Sequence, residues 1–522
     1  MGLLQILIKE SPARAFAILG ACGLAGISEA AAVLIILEVT ASAKFHLPFL
    51  VIILLIVGLF LFSSYFYLSR GSILAEKAME SMVVSICDKI RLSELPEIEK
   101  IEKSDAYNNI WNARALSDAA LNNLYMFSRV MAVATIWIYV AFVSLAMATC
   151  LTLFFLLYFM VYEVFQKVGK SEAAMENRIV VSLFNAFDHI LHGFKEVRIN
   201  RRKNRDLFEN HINPLIGETE KVRFQNTLFI SEFFGFTSVS FMTFASMCAL
   251  FLSGYFTLLP VITLVILYLW EPIMTLSSGI PDVIEGKAAM DRLASLDERL
   301  GNPERTDLPS RVGPGSDFRI MALENAGFSY EGQNGFSLGP VSMEIRAGEI
   351  FFIAGGNGSG KSTLLKLICG LYAPSSGRIT MDGIPVDMRR HRHLFSAIFT
   401  DFHLFDSLYG IKSPGEDFVN SLMSDFDLLK TSSFSNGRFS SLALSAGQRK
   451  RLAFVVAMLE NRPVYIFDEW AAEQDPEFRE HFYTNLLPSL VSGGGTVIAV
   501  THDERWFHVA DRVAKLEYGK IV

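Results

Sequence analysis

Long apolar stretches dominate the first half of the chain, and short strand-like apolar runs separated by polar and glycine-rich segments dominate the second. A membrane span needs about 20 apolar residues. Residues 13–39 and 47–68 are each long enough for one. The run from Phe127 to Phe165 is nearly unbroken and accommodates two, with a tight turn near Met147. The run from Phe233 to Trp270 folds back near Gly254 to Pro260, and its two spans extend a little beyond these ends. The pattern predicts six spans, at about 13–39, 47–68, 127–146, 147–166, 230–253 and 257–278. An even number places both chain ends on one side. Between spans two and three lie seven lysines and arginines, among them Arg70, Lys89 and Lys103, and between spans four and five lie eleven, including Arg201, Arg202, Lys203 and Arg205. The opposite short loops offer little beyond Lys44. Positive charge marks the cytoplasmic side, so the long loops, both ends and the second half are expected in the cytoplasm. The long loops repeat apolar residues at helical spacing (Phe184, Phe187, Ile190, Leu191, Phe194, Val197) and read as extensions of the span helices.

Residues 291–315 are polar and carry Pro303, Pro309 and Pro314 with three glycines, which reads as a linker. The expected organisation is a multi-domain membrane protein: an all-α six-helix transmembrane domain over 1–290, the linker 291–315, and an α/β domain over 316–522.

Composition agrees with this division. The chain has 522 residues, too many for a single core, and is 51% hydrophobic with a mean hydropathy of +0.34. The net charge of −7 gives nucleic acid no electrostatic footing. Five cysteines lack C-x-x-C spacing and sit mostly in apolar runs, as reduced packing residues rather than a disulfide frame or metal site. The first apolar run has no basic leader and is too long for a signal core, so it reads as a retained span. Glu29, Glu38, Glu163, Glu232 and Glu271 lie in or at the ends of spans. A charge at mid-span costs about 2.5–3.5 kcal/mol on insertion scales, which the surrounding apolar residues outweigh. Glu29, nearest a span centre, is the best candidate for lining a transport path. Glu38, Glu163 and Glu271 read as end-of-span carboxylates reaching the headgroups.

The chemistry concentrates in Ala354 to Thr363, which fits G-x-x-x-x-G-K-[ST] between an apolar strand and a helix. Gly355, Gly356, Asn357, Gly358, Ser359 and Gly360 can turn backbone N–H groups around a polyphosphate, with Thr363 in the first turn of the helix whose N-terminus adds partial positive charge. Lys361 reaches the outer phosphates and Ser362 is placed to ligate Mg²⁺. A lone match could be a glycine turn that binds nothing, but two further apolar strands end in chemistry. Val464 to Phe467 leads to Asp468, for the Mg²⁺ shell, and Glu469, to polarise an attacking water; Thr496 to Val500 leads to His502. Ligands of open α/β sheets bind at carboxyl ends of strands, and three such ends converge here. Ser445 and Gln448, flanking Gly447, form a capping-box pattern before an apolar helix, and that helix's N-terminus is a second candidate anion site.

Together these motifs resemble the ATP-binding cassette (ABC) exporter half-transporters, over nearly the whole chain. Leu444–Gln448 resembles the family signature, with Ala446 where glycine is commoner; Asp468–Glu469 the Walker B pair; His502 the switch histidine; Gln474–Pro476 the D-loop; and Tyr330 the adenine-stacking aromatic. The resemblance implies ATP and Mg²⁺, hydrolysis coupled to transport, and a homodimer in which the signature of one copy covers the nucleotide held by the other. It departs from the family at Thr400, where exporters carry glutamine; Thr400 or Asp401 is the candidate substitute. The acidic stretch usual before the signature is missing. Residues 400–406 and 445–453 resemble the bacterial cyclic-peptide and siderophore exporter group, which includes pyoverdine-type exporters. That implies a multi-pass protein of the bacterial inner membrane, in contact with membrane lipid, exporting a peptide or siderophore precursor and binding no nucleic acid; a role for periplasmic partners stays open. Two alternatives remain: a flippase for lipid or lipid-linked sugar, and a membrane-anchored ATPase that transports nothing.

Overall fold

A computed structural model describes residues 11–42, 47–101, 114–251, 259–301, 318–330, 336–411 and 415–522. They form two compact units, one of residues 1–93 and 99–302, the other of 94–98 and 303–522.

The first unit is helical. Its long helices are Pro12–Ser42, Leu47–Leu92, Arg114–Val143, Leu145–His192, Asn213–Phe251, Leu259–Ser278 and Ile280–Arg299. Among the described residues, five stretches, Pro12–Val39, Leu47–Leu92, Leu116–Val143, Leu145–Phe165 and Arg201–Met247, are long and apolar enough to cross a membrane. Their outward residues are apolar too: Leu50, Val51, Leu54, Leu55, Leu61 and Phe62 of the second helix are all exposed. The inward faces are lined with small residues. Ala15, Cys22, Ala25, Ala75, Ala78 and Ala120 pack in one cluster with Ile18, Tyr67, Leu74 and Leu124. In lipid, helices associate by such close packing because apolar burial no longer drives them together.

The break between the third and fourth long helices lies at Ser144, three residues before the turn expected near Met147. Ser144 leaves helical backbone (φ −155°, ψ 109°), and its hydroxyl accepts the Met147 N–H. The fourth helix then runs 48 residues, far beyond the apolar stretch that begins it. The start of the expected linker also shifts: residues 291–299 continue the helix Ile280–Arg299. Arginine, leucine, alanine and acidic residues there favour helix over coil, and all three linker prolines come later. Residues 302–317, the rest of that linker, and 252–258, most of the expected fold-back, lie outside the described residues.

The second unit is α/β. Its strands are β1 (Ile320–Ser329), β2 (Ser337–Arg346), β3 (Ile350–Ala354), β4 (Ser376–Met381), β5 (Ile384–Pro385), β6 (Phe395–Ile398), β7 (Phe434–Ser435), β8 (Arg438–Phe439), β9 (Val464–Asp468), β10 (Thr496–Val500), β11 (Arg512–Glu517) and β12 (Lys520–Ile521). The main sheet has the order β12-β11-β3-β10-β9-β6. Its pairings are parallel from β11 to β6, and β12 adds an antiparallel edge. Every residue of β3, β9 and β10 is buried, as parallel strands covered on both faces require. Successive side chains point to opposite faces. Phe351, Ile353, Val464, Ile466, Ile498 and Val500 join the core with the helix Lys361–Ile368, while Phe352, Tyr465, Phe467 and Val497 join the core with the helix Ala446–Glu460. An antiparallel sheet of order β2-β1-β4-β5 completes the unit.

Helix packing in the first unit is tightest at Gly26, where a Cβ would stand 2.0 Å from the Ser128 carbonyl oxygen. Gly26→Ala should force these backbones apart and lower stability by about 1–3 kcal/mol, the usual cost of overpacking. Thermal unfolding of the detergent-solubilised protein measures it, and an unchanged midpoint would show that the approach is looser than drawn.

Candidate functional site

The glycine loop leaves β3 at Ala354 and enters its helix at Lys361. Gly355, Gly358 and Gly360 have φ of 149°, 76° and 103°, conformations that other residues adopt only under strain. At Gly355 a Cβ would also lie 2.2 Å from the Leu516 carbonyl oxygen. Lys361 is 6% exposed. Its ammonium folds back into the loop, donating to the Gly355 and Gly356 carbonyls at 3.0 and 2.9 Å. Burial pulls its pKa below the ordinary lysine value, against the opposing charges of Glu469 and Asp468. The Ser359 hydroxyl is buried with no partner among the described residues.

β9 brings Asp468 to the same place. The Ser362 hydroxyl donates to its Oδ2 at 2.7 Å, while Oδ1 is buried with no hydrogen-bond partner. A buried carboxylate oxygen left bare beside a serine hydroxyl is costly and suits a hard cation that takes oxygen ligands, such as Mg²⁺. One position further on, Glu469 has a left-handed backbone, φ 51° and ψ 38°. Its Oε1 lies 2.7 Å from His502 Nε2 and 3.8 Å from Lys361 Nζ. His502 follows β10, parallel neighbour of both β3 and β9. Lys361, Ser362, Asp468, Glu469 and His502 are thus gathered at the carboxyl ends of three adjacent strands.

The remaining predicted residues lie around this centre or apart from it. Tyr330, just after β1, is half-buried; its hydroxyl shares a 3.0 Å hydrogen bond with Thr363 and its ring meets Phe328 edge-on. Asn357 and Gly356 are in the loop, the latter's carbonyl also accepting the Ser359 N–H. Thr400 and Asp401 are exposed in the turn after β6, the strand paired with β9. Ser445 caps the helix Ala446–Glu460: its hydroxyl accepts the Gln448 N–H, and the Gln448 side chain accepts the Ser445 N–H, a complete capping box. Gly447 packs beside Gln474, whose amide donates to the Gly447 carbonyl. Among the described residues, no hydrogen bond or ion pair joins Ser445, Gly447 or Gln448 to the glycine loop.

In the first unit, Glu29 meets a residue that sequence reasoning passed over. Arg129, on the helix Arg114–Val143, donates through Nη1 to both Glu29 oxygens at 2.5 Å and through Nη2 to the Tyr125 hydroxyl at 2.7 Å. Glu271, on a third helix, stands 3.2 Å from Nη1. Arg129 is 7% exposed. Glu271 is itself exposed but stands beside the buried guanidinium. The signal was present in sequence: a lone arginine within an apolar run demands a carboxylate partner.

Residues 338–472 match the ABC transporter family. The ABC domain implies ATP binding, in keeping with the glycine loop and its lysine. An ATP-binding protein, SyrD, of Pseudomonas syringae pv. syringae is 37% identical over 363 residues, covering 65% of this chain and 64% of that one. An ATP-dependent lipid A-core flippase of Thiobacillus denitrificans is 29% identical over 280 residues, covering 49% of this chain and 46% of the flippase. The chain thus spans under two thirds of the first relative's length and about half of the second's. A bacterial Atm1-family ABC exporter solved with ATP bound is similar in fold, with a TM-score of 0.78 at 17% identity, over 99% of this chain and 94% of that one.

The capping box makes a stability prediction. Ser445→Ala removes the hydroxyl that accepts Gln448 N–H and should cost about 0.5–2 kcal/mol, read as a lower unfolding midpoint. Ser445→Asn, another good cap, should restore most of it.

Proposed function

We propose that the protein is an ATP-driven exporter of the bacterial inner membrane, working as a homodimer with its ABC domains in the cytoplasm. The observation that carries the ATPase half is the convergence of Lys361, Asp468, Glu469 and His502 on one glycine loop. Lys361 and the loop N–H groups bind the phosphates. Ser362 and Asp468 would hold Mg²⁺, which neutralises charge on the phosphate oxygens when bound. Glu469 takes the proton of the attacking water, and His502 Nε2 holds its carboxylate in place. Tyr330 stacks on the adenine. Thr400 and Asp401 stand where the family's glutamine contacts the metal shell and the membrane domain.

The dimer follows from arithmetic on one chain: one glycine loop, and one Ser445–Gln448 helix start that no bond connects to it. A second copy supplies the missing half of each site. Export is supported by the apolar helices fused ahead of the ABC domain and by the fold likeness over nearly the whole chain.

A peptide or siderophore precursor is the cargo favoured by the pattern of residues 400–406 and 445–453. A lipid flippase is the second reading, supported by the flippase among the relatives.

Three outcomes are expected with the protein in nanodiscs. Lys361→Ala should abolish ATP turnover; normal turnover would remove Lys361 from the mechanism. Glu469→Gln should bind ATP but hydrolyse it about 10²–10⁴-fold more slowly, the span of general-base contributions, and should accumulate as an ATP-bound dimer by mass measurement. Changing Thr400 and Asp401 together should lower the vesicle uptake obtained per ATP hydrolysed, and an unchanged ratio would remove them from the coupling. Stimulation of the ATPase by peptide rather than lipid decides between exporter and flippase, and turnover without any cargo movement would reduce the protein to an anchored ATPase.

A further inference from the structure

Lys450 is the buried cation that the scheme above leaves unused. It lies in the second turn of the helix Ala446–Glu460 and is 3% exposed. Its ammonium donates at 2.9 Å to the backbone carbonyl of Glu469, not to a side chain. The nearest carboxylate in an ion pair with it, Glu473, is 3.7 Å away. The Lys450 carbonyl in turn accepts the indole N–H of Trp470 at 2.9 Å, and Trp470 is fully buried among Phe454, Phe478 and Phe482. Residues 469 and 470 are therefore clamped to this helix from both directions.

The clamp sits where the backbone needs it. Glu469 is left-handed, a state that costs a non-glycine residue free energy and persists only where the surroundings over-determine it. Without the ammonium, the Glu469 carbonyl keeps a single weaker partner, the Ala472 N–H at 3.3 Å. Rotation of that peptide would swing the carboxylate away from His502. The next residue on the helix extends the attachment: Arg451 donates to Gln474 at 2.9 Å and pairs with Asp475 at 2.5 Å. The same helix begins with Ser445, Gly447 and Gln448.

We propose that Lys450 is a positioning residue for hydrolysis: it fixes the left-handed peptide of Glu469, aims the carboxylate, and ties that aim to the helix whose N-terminus is the second anion site. The proposal rests on Glu469 acting as the base. It gives the two ends of one protomer a shared part, so that an anion seated at Ser445–Gln448 bears on the geometry of the base one helix turn away.

The test uses the full-length protein in nanodiscs with ATP as the probe, comparing wild type, Lys450→Met and Lys450→Arg. Methionine keeps an unbranched chain and removes the donor. Its kcat should fall by about 10²-fold, the scale set by roughly 1 Å of misplacement, with KM for ATP within about threefold of wild type. Arginine restores a donor and a charge and should recover at least tenfold of the loss. Thermal unfolding midpoints accompany each measurement. Wild-type kcat in a folded Lys450→Met would overturn the proposal. So would a loss that follows KM and the unfolding midpoint together, or no recovery with arginine. Wild-type turnover in Glu469→Gln would instead overturn the reading of Glu469, and the two failures are told apart by running that variant alongside.

Discussion

A buried ammonium and two carboxylates at the ends of neighbouring parallel strands set the terms for the second unit. Lys361, Asp468 and Glu469 lie within a few ångströms of one another, and burial strengthens every interaction among them. Such an arrangement is stable only when other groups complete it. Carbonyls of Gly355 and Gly356 take the ammonium protons, and Ser362 and His502 each meet one carboxylate. The bare Oδ1 of Asp468 and the bare Ser359 hydroxyl are what remains. These are the places where a polyphosphate and its cation would finish the network. The fully buried strands β3, β9 and β10 serve this end: rigid, dry strands hold charged residues at their tips more exactly than a loop could.

The first unit meets the same physics in a harsher solvent. A guanidinium on one helix is shared by carboxylates on two others. Breaking the Glu29 pair would leave the buried guanidinium without its close carboxylate, so the pair fixes two helices against each other. The two carboxylates are not equal. Glu29 receives both short bonds, whereas Glu271 is half-exposed, stands further from the guanidinium and also accepts the Thr275 hydroxyl.

Local patterns made much of this legible. The glycine loop, the strand ends at Asp468 and His502, and the capping box at Ser445 are written in consecutive residues, and each appears where the pattern puts it. Relations across the chain were harder to read. Arg129 is separated by 100 positions from Glu29, and nothing in either apolar run says that the two helices are neighbours. Lys450 was hidden differently: on sequence it is one of three consecutive basic residues at a helix start, and only the packing around Trp470 shows that it is buried. The break at Ser144 and the helix through Arg299 show the usual weakness at boundaries, where one side-chain cap or a few good helix formers decide what hydropathy cannot.

The short helix Leu95–Ile98 adds the last link. It follows the helix Leu47–Leu92 in sequence yet belongs to the second unit. Leu95 packs against that unit's core, and Glu94 pairs with Arg392. Arg392 also donates twice, at 2.8 and 2.7 Å, to the carbonyl of Gly370. Gly370 lies just past the helix that begins at Lys361, with φ 74°, and a Cβ there would collide with the Met388 carbonyl. The far end of the phosphate-binding helix is therefore joined through one guanidinium to the segment that continues into the apolar helices. A guanidinium held by a carboxylate and a carbonyl is fixed in direction as well as in distance, which apolar contacts are not.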